Sequence, residues 1–126
     1  MRRVVVLAVL TAALVPMTSG EVATAQGESP YRTYVACGWG QNAAPSHVCD
    51  RQGRKAAFFL SHDADVQYRV CLKPPQGQQL CASAQSAPED ELRSNRITSA
   101  QRGRHTVKWF VGGERVGVWK FRNKNL

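Results

Sequence analysis

The chain has 126 residues, with 17 Lys and Arg against 9 Asp and Glu, a formal net charge of +8 and four cysteines. That length holds one domain and argues against a second, and so small a core gains from covalent staples. The positive field attracts anionic surfaces such as cell-wall polymers, lipid headgroups and nucleic acid, but the basic residues are scattered without a block of like charge, for which solubility is the blander explanation.

Residues 1–25 predict a secretory signal peptide. Arg2-Arg3 precedes an apolar run over 4–15, and Ala23-Thr24-Ala25 supplies the small residues that a signal peptidase reads. The run is about twelve residues, short of the roughly 20 of a membrane-spanning helix; an uncleaved anchor is the alternative. Cleavage after Ala25 leaves 15 basic and 8 acidic side chains, a net charge of +7, because Arg2, Arg3 and Glu21 are removed. The four cysteines then lie in an oxidising compartment, and the protein is expected outside the cell.

Residues 26–30 are polar and turn-rich and are expected to form a flexible lead to a single domain over 31–126. A short strand is predicted over 31–37. The stretch 38–48 holds too many glycines, prolines and polar residues for a regular element, so it is expected to be a loop between Cys37 and Cys49. Closing it with a disulfide restricts the unfolded chain by about 3 kcal/mol on the chain-entropy account. Residues 50–54 are a turn, and the continuous apolar run in 55–61 fits a buried strand.

Val66, Tyr68, Val70 and Leu72 alternate with polar residues and Cys71, the period of a half-buried strand. Pro74-Pro75-Gln76-Gly77-Gln78 turns the chain, and Leu80, Ala82 and Ala84 alternate on the way back. Folding the two strands about Gln76 sets Cys71 opposite Cys81 and Leu72 opposite Leu80. The apolar residues then share the inner face and the cysteines the outer one. This register favours the pairs Cys71–Cys81 and Cys37–Cys49; a crossed Cys49–Cys71 staple is the rival.

Pro88-Glu89-Asp90-Glu91 has the make-up of a first helical turn, with room for little more. A short strand is expected over 96–99, and a second hairpin over 105–111 and 115–121 about Gly112-Gly113. Both faces of this hairpin carry large apolar groups, so its register is ambiguous; a bulge after Val111 would reconcile them. Six or seven short antiparallel strands with two disulfides predict an all-β sandwich.

Cys37-Gly38, Ala57-Phe58-Phe59, the Val66–Tyr68–Val70–Cys71 spacing, Leu80-Cys81-Ala82, and the Val/Trp/Phe pattern over 105–121 together resemble small secreted proteins of high-GC Gram-positive bacteria. The resemblance implies a β-sandwich of immunoglobulin-like or fibronectin-like outline and export, and assigns no biochemical role. The Cys…Trp…Cys spacing of antibody domains is absent.

Candidate chemistry is sparse. His62-Asp63-Ala64-Asp65 offers one nitrogen and two carboxylates, which is more often a turn than a metal site. His105 is expected at a strand rim. Ser46-His47 is an adjacency, and neither a G-x-S-x-G elbow nor an H-E-x-x-H motif occurs. No catalytic residue, metal or cofactor is expected. Trp39, in the pinned loop, and Tyr34 are candidate binding anchors. Arg104, Lys108, Lys120 and Arg122 are candidate contacts for an anion, although Lys108 and Lys120 share one side of the sheet only if the hairpin bulges. The leading expectation is a secreted non-catalytic domain making protein or cell-surface contacts. The alternative is a cationic module for an anionic polymer (cell-wall polymer, nucleic acid or phospholipid), and a secreted enzyme comes third.

Overall fold

The computed structural model describes residues 29–126. The expected signal peptide and residues 26–28 lie outside them. Pro30, within the expected lead, is tied down, because its carbonyl accepts a hydrogen bond from the His62 amide at 2.8 Å.

Nine strands and no helix occur among the described residues: β1 (Tyr31–Ala36), β2 (Val48–Asp50), β3 (Ala56–Ser61), β4 (Val66–Lys73), β5 (Leu80–Cys81), β6 (Gln85–Ala87), β7 (Arg93–Arg96), β8 (Gly103–Val111) and β9 (Glu114–Lys124). The first sheet is antiparallel, in the order β1-β3-β7. The second runs β2-β9-β8-β4, with β5 and β6 end to end along the far edge of β4. The described residues are all-β with two disulfides, but the strands exceed the expected six or seven. They are not all antiparallel, since β2 runs parallel to β9.

The two sheets bury one apolar cluster between them. Val35, Ala57 and Phe59 from the first sheet meet Tyr68, Val70, Val107, Trp109 and Phe121 from the second. Phe59 stacks on Tyr68 at 4.3 Å between ring centroids. The continuous apolar run of β3 has a direct cause: this strand is central in its sheet and covered on both sides. Ala56 and Phe58 point away from the main cluster, into a second one with Tyr34 and Ala36, against which Ala43 of the 38–47 loop and Leu92 pack.

Cys71 faces Cys81 and Leu72 faces Leu80 across β4 and β5, and the disulfides join Cys71 to Cys81 and Cys37 to Cys49. Four local expectations are corrected. Leu80 does not point into the core; it is 70% exposed, because β5 is a two-residue edge with nothing beyond it. The return strand breaks after Cys81 and resumes as β6. Residues 88–91 form a turn, not a helical start. The Glu89 amide donates to Asp65 Oδ1 and the Asp90 amide to the Ser61 carbonyl, while Asp90 takes a φ of 61°. The strand expected over 96–99 lies earlier, at Arg93–Arg96, where it pairs with β3; Ile97 then turns into the core.

At Gly117, in β9, a Cβ would overlap the Thr33 side chain of β1. The absent side chain therefore allows a close approach of the two sheets at this point. Gly117→Ala should lower the unfolding free energy by about 1–3 kcal/mol, the usual cost of overpacking, read as a lower urea midpoint at unchanged slope.

Candidate anion-binding face

The β8–β9 hairpin decides which side chains reach solvent. Its turn is the two residues Gly112-Gly113, with φ values of 60° and 82°, the left-handed region that a two-residue hairpin turn requires and that glycine enters without strain. The register then shifts. Val111 faces Glu114 and Phe110 faces Arg115, but Trp109 faces Gly117, so Val116 is the extra residue of a bulge. The bulge sits further from the turn than expected, between Trp109 and Phe110 and not after Val111. Beyond it, His105, Val107 and Trp109 share the inner face with Phe121 and Asn123, all buried.

The same shift collects the cations on the outer face. Arg104 faces Arg122, Thr106 faces Lys120 and Lys108 faces Val118. An unbulged hairpin would put Lys108 and Lys120 on opposite faces; here they are diagonal neighbours. β4 adds Arg69, opposite Phe110, and Lys73, opposite Thr106. Arg115 and Lys124 extend the row along β9. None of these side chains has a carboxylate partner among the described residues, whose ion pairs are His62–Asp90 and Arg93–Glu91. Asp63, Asp65, Glu89, Asp90 and Glu91 gather instead in the loops before β4 and after β6. That is the end of the sheet where β4 begins and the β8–β9 turn lies.

At the opposite end the face deepens into a groove of about 340 Å³, lined by His47, Val48, Arg104, Lys120, Arg122 and Lys124 with Phe121 beneath. Its wall is the 46–48 segment, fixed to β9 in several places. His47 Nδ1–H donates to the Lys120 carbonyl at 2.6 Å, and the Arg122 amide donates to the His47 carbonyl. Trp119 Nε1–H donates to the Ser46 carbonyl, and the His47 ring stacks on Trp119 with centroids 4.0 Å apart. The Cys37–Cys49 disulfide anchors the next residue. The groove thus unites three sequence-predicted residues, Arg104, Lys120 and Arg122, with His47 and Lys124. His47 was not foreseen as a contact because only β2–β9 pairing, 74 residues apart in sequence at each step, brings it to the groove, and Lys124 was not because the predicted strand ends at 121 whereas β9 runs to Lys124.

The predicted aromatic anchors separate. Tyr34 is 5% exposed, stacked on Phe58 and capped by the Arg32 guanidinium, so it is a core residue and presents no binding surface. Trp39 is 38% exposed, with the guanidiniums of Arg54 and Arg96 over its ring at 4.5 and 3.9 Å. A larger cleft, about 580 Å³, lies by the β8–β9 turn and includes Arg69, Phe110 and the exposed edge of the Cys71–Cys81 bridge. Among the described residues no three His, Cys, Asp or Glu side chains converge as metal ligands; His62 instead meets Asp90 at 3.4 Å.

His105 is not at a rim but fully buried. Its Nδ1–H donates to the Gly103 carbonyl at 3.1 Å, which leaves Nε2 to accept the Ser99 hydroxyl at 2.8 Å. Asn123 Nδ2 donates to the carbonyls of Ser99 and Gln101, so the pair pins the 99–103 loop under the groove floor. Lys55 is buried beside it in charge, its ammonium donating to the carbonyls of Asp50, Arg51 and Gly53.

No protein-family model matches the sequence, and neither does any curated protein. Among solved structures, the alkylpurine DNA glycosylase AlkC of Pseudomonas fluorescens, bound to DNA containing an abasic-site analogue, aligns at 17% identity and a TM-score of 0.44. The alignment covers 76% of this chain and 31% of that one, a likeness too slight to assign a fold type or a function.

Burial holds the His105 imidazole below its ordinary pKa; the bond to the Gly103 carbonyl opposes this and the Lys55 charge adds to it. The folded state therefore resists protonation that the unfolded chain accepts. The stability this residue contributes is full above about pH 6.5 and is lost as the pH falls below it. Urea midpoints taken from about pH 7.5 down to about pH 5 should fall for the native chain and fall less steeply for His105→Gln.

Proposed function

We propose that this protein is a secreted, non-catalytic domain that binds an anionic polymer through the outer face of its six-stranded sheet. The observation that carries this reading is the groove of Arg104, Lys120, Arg122 and Lys124 with His47, open to solvent and without a carboxylate partner among the described residues. Like charges set together on adjacent strands repel, and an anion relieves that repulsion. The gathering of five acids at the far end of the sheet, with Asp50 the exception beside Lys124, strengthens the local potential and orients an approaching polyanion.

Export is part of the same proposal. Two disulfides fit an oxidising compartment, and the charged start, apolar run and small-residue site of 1–25 supply the address. The two-sheet arrangement around one core is in keeping with an immunoglobulin-like or fibronectin-like outline, although the parallel β2–β9 pair departs from a purely antiparallel sandwich. Protein contact through Tyr34 loses support, because Tyr34 is buried, whereas Trp39 stays 38% exposed with two guanidiniums over its ring.

Binding to linear polyphosphate, single-stranded DNA and anionic lipid vesicles, titrated against salt, tests the reading. Four cations that each neutralise one phosphate of a flexible chain predict a loss of about 50-fold in affinity between about 50 and 200 mM salt. The triple variant Arg104→Glu/Lys120→Glu/Arg122→Glu should bind none of them while keeping its unfolding midpoint, since all three side chains are exposed. Retention of binding in that variant, or binding indifferent to salt, would refute the groove.

A further inference from the structure

We infer that the groove is one end of a longer track that rounds the β2 edge to Trp39, and that the track fits a ring-free phosphodiester polymer, a polyol phosphate of the cell-wall kind, in preference to nucleic acid. This deepens the reading above and rests on it.

The second end of the track is the hollow of about 360 Å³ that includes Trp39, Arg51, Arg54 and Lys55. The guanidiniums of Arg54 and Arg96 both lie over the Trp39 indole. Neither has a carboxylate partner among the described residues. Two cations held on one ring repel each other, and the attraction of each for the indole, about 0.5–1 kcal/mol at an exposed site, fixes them in place without neutralising them. Beneath them the Lys55 ammonium is immobilised by three carbonyls at 2.9–3.1 Å. A phosphate oxyanion at either guanidinium supplies the missing counter-charge, and arginine forks suit phosphate oxygens.

The hollow and the groove are joined by backbone. The Arg51 amide donates to the Lys124 carbonyl at 2.8 Å, so the residue that lines one end of the groove is bonded to the residue that lines the hollow. From Val48 to Arg54 the chain spans at most about 20 Å. Asp50 is the acid on this stretch, opposite Lys124 in register; it lies between two clusters of cations and does not separate them.

The aromatic groups along the track decide the class of polymer. Binding of single-stranded nucleic acid draws on open rings on which bases stack. Here the Trp39 ring carries two guanidiniums, the His47 ring lies on Trp119, and Phe121 is 1% exposed. The track offers a polymer its phosphate contacts, and its two exposed rings, Trp39 and His47, each already carry a stacked partner.

The test uses synthetic glycerol-phosphate oligomers of graded length and oligothymidylates of matched phosphate number, binding to the disulfide-bonded protein and to Arg54→Gln/Arg96→Gln. Affinity for the glycerol-phosphate series should rise about tenfold or more once an oligomer spans about 20 Å. The double variant should lose that rise, keep the affinity for the shortest oligomers, and unfold at the native midpoint. A length series without the step, or a step that survives in the double variant, overturns the track and leaves the groove standing. Tighter binding of oligothymidylate than of the matched glycerol phosphate overturns the polymer class. Failure of every oligomer to bind the native protein removes both the track and the groove.

Discussion

The register shift between Trp109 and Phe110 governs both what this protein buries and what it presents. In a strand the side chains alternate, so one extra residue exchanges the two faces of everything that follows it. Val116 is that residue. Without it, the β9 residues beyond the turn would present Trp119 and Phe121 to water and turn Lys120 and Arg122 into the core. With it, Phe121 joins Trp109 and Val107 in the interior, and the cations of two neighbouring strands share one surface. A single backbone irregularity thus sorts a sequence whose two faces are otherwise similar in apolar content.

The parts of this arrangement that could be read from sequence are those fixed by local arithmetic. Val66, Tyr68, Val70 and Leu72 alternate cleanly, and a turn centred on Gln76 places Cys71 opposite Cys81 in any antiparallel pairing. The unbroken Ala56-Ala57-Phe58-Phe59 run shows a strand with no solvent face, and the structure covers it on both sides. That same run held the clue to Tyr34: a strand beside one buried on both faces has its own inward residues on both sides, and Tyr34 stacks on Phe58. The bulge was foreseeable as a need but not in position, since Val111, Trp109 and Phe110 are all acceptable neighbours for it.

What escaped the sequence depends on contacts far apart along the chain. β2 is three residues long and has no periodicity of its own; it is a strand because β9 lies beside it. The short β7 is set by its pairing to β3 and not by the Ile97 that follows it. Lys55 and His105 are ionisable residues that composition places outside, yet each is buried with its hydrogen-bonding groups met by backbone carbonyls and a serine hydroxyl, the condition under which burial of such groups is tolerated. His47 belongs to the groove for the same long-range reason. Half of the candidate site was therefore visible as isolated basic residues, and the geometry that unites them was not.

The parallel pairing of Val48–Asp50 with residues 122–124 has a temporal consequence. During synthesis, the wall of the groove is made 74 residues before the strand it pairs with. Pairings so distant in sequence close slowly, and until this one closes the Cys37–Cys49 loop is held by its disulfide and by β1, through the Ser46 amide on the Val35 carbonyl and the Ala36–Pro45 bridge. The groove is thus closed only after both of its distant segments have been made, and until then its cations lie on an incomplete surface.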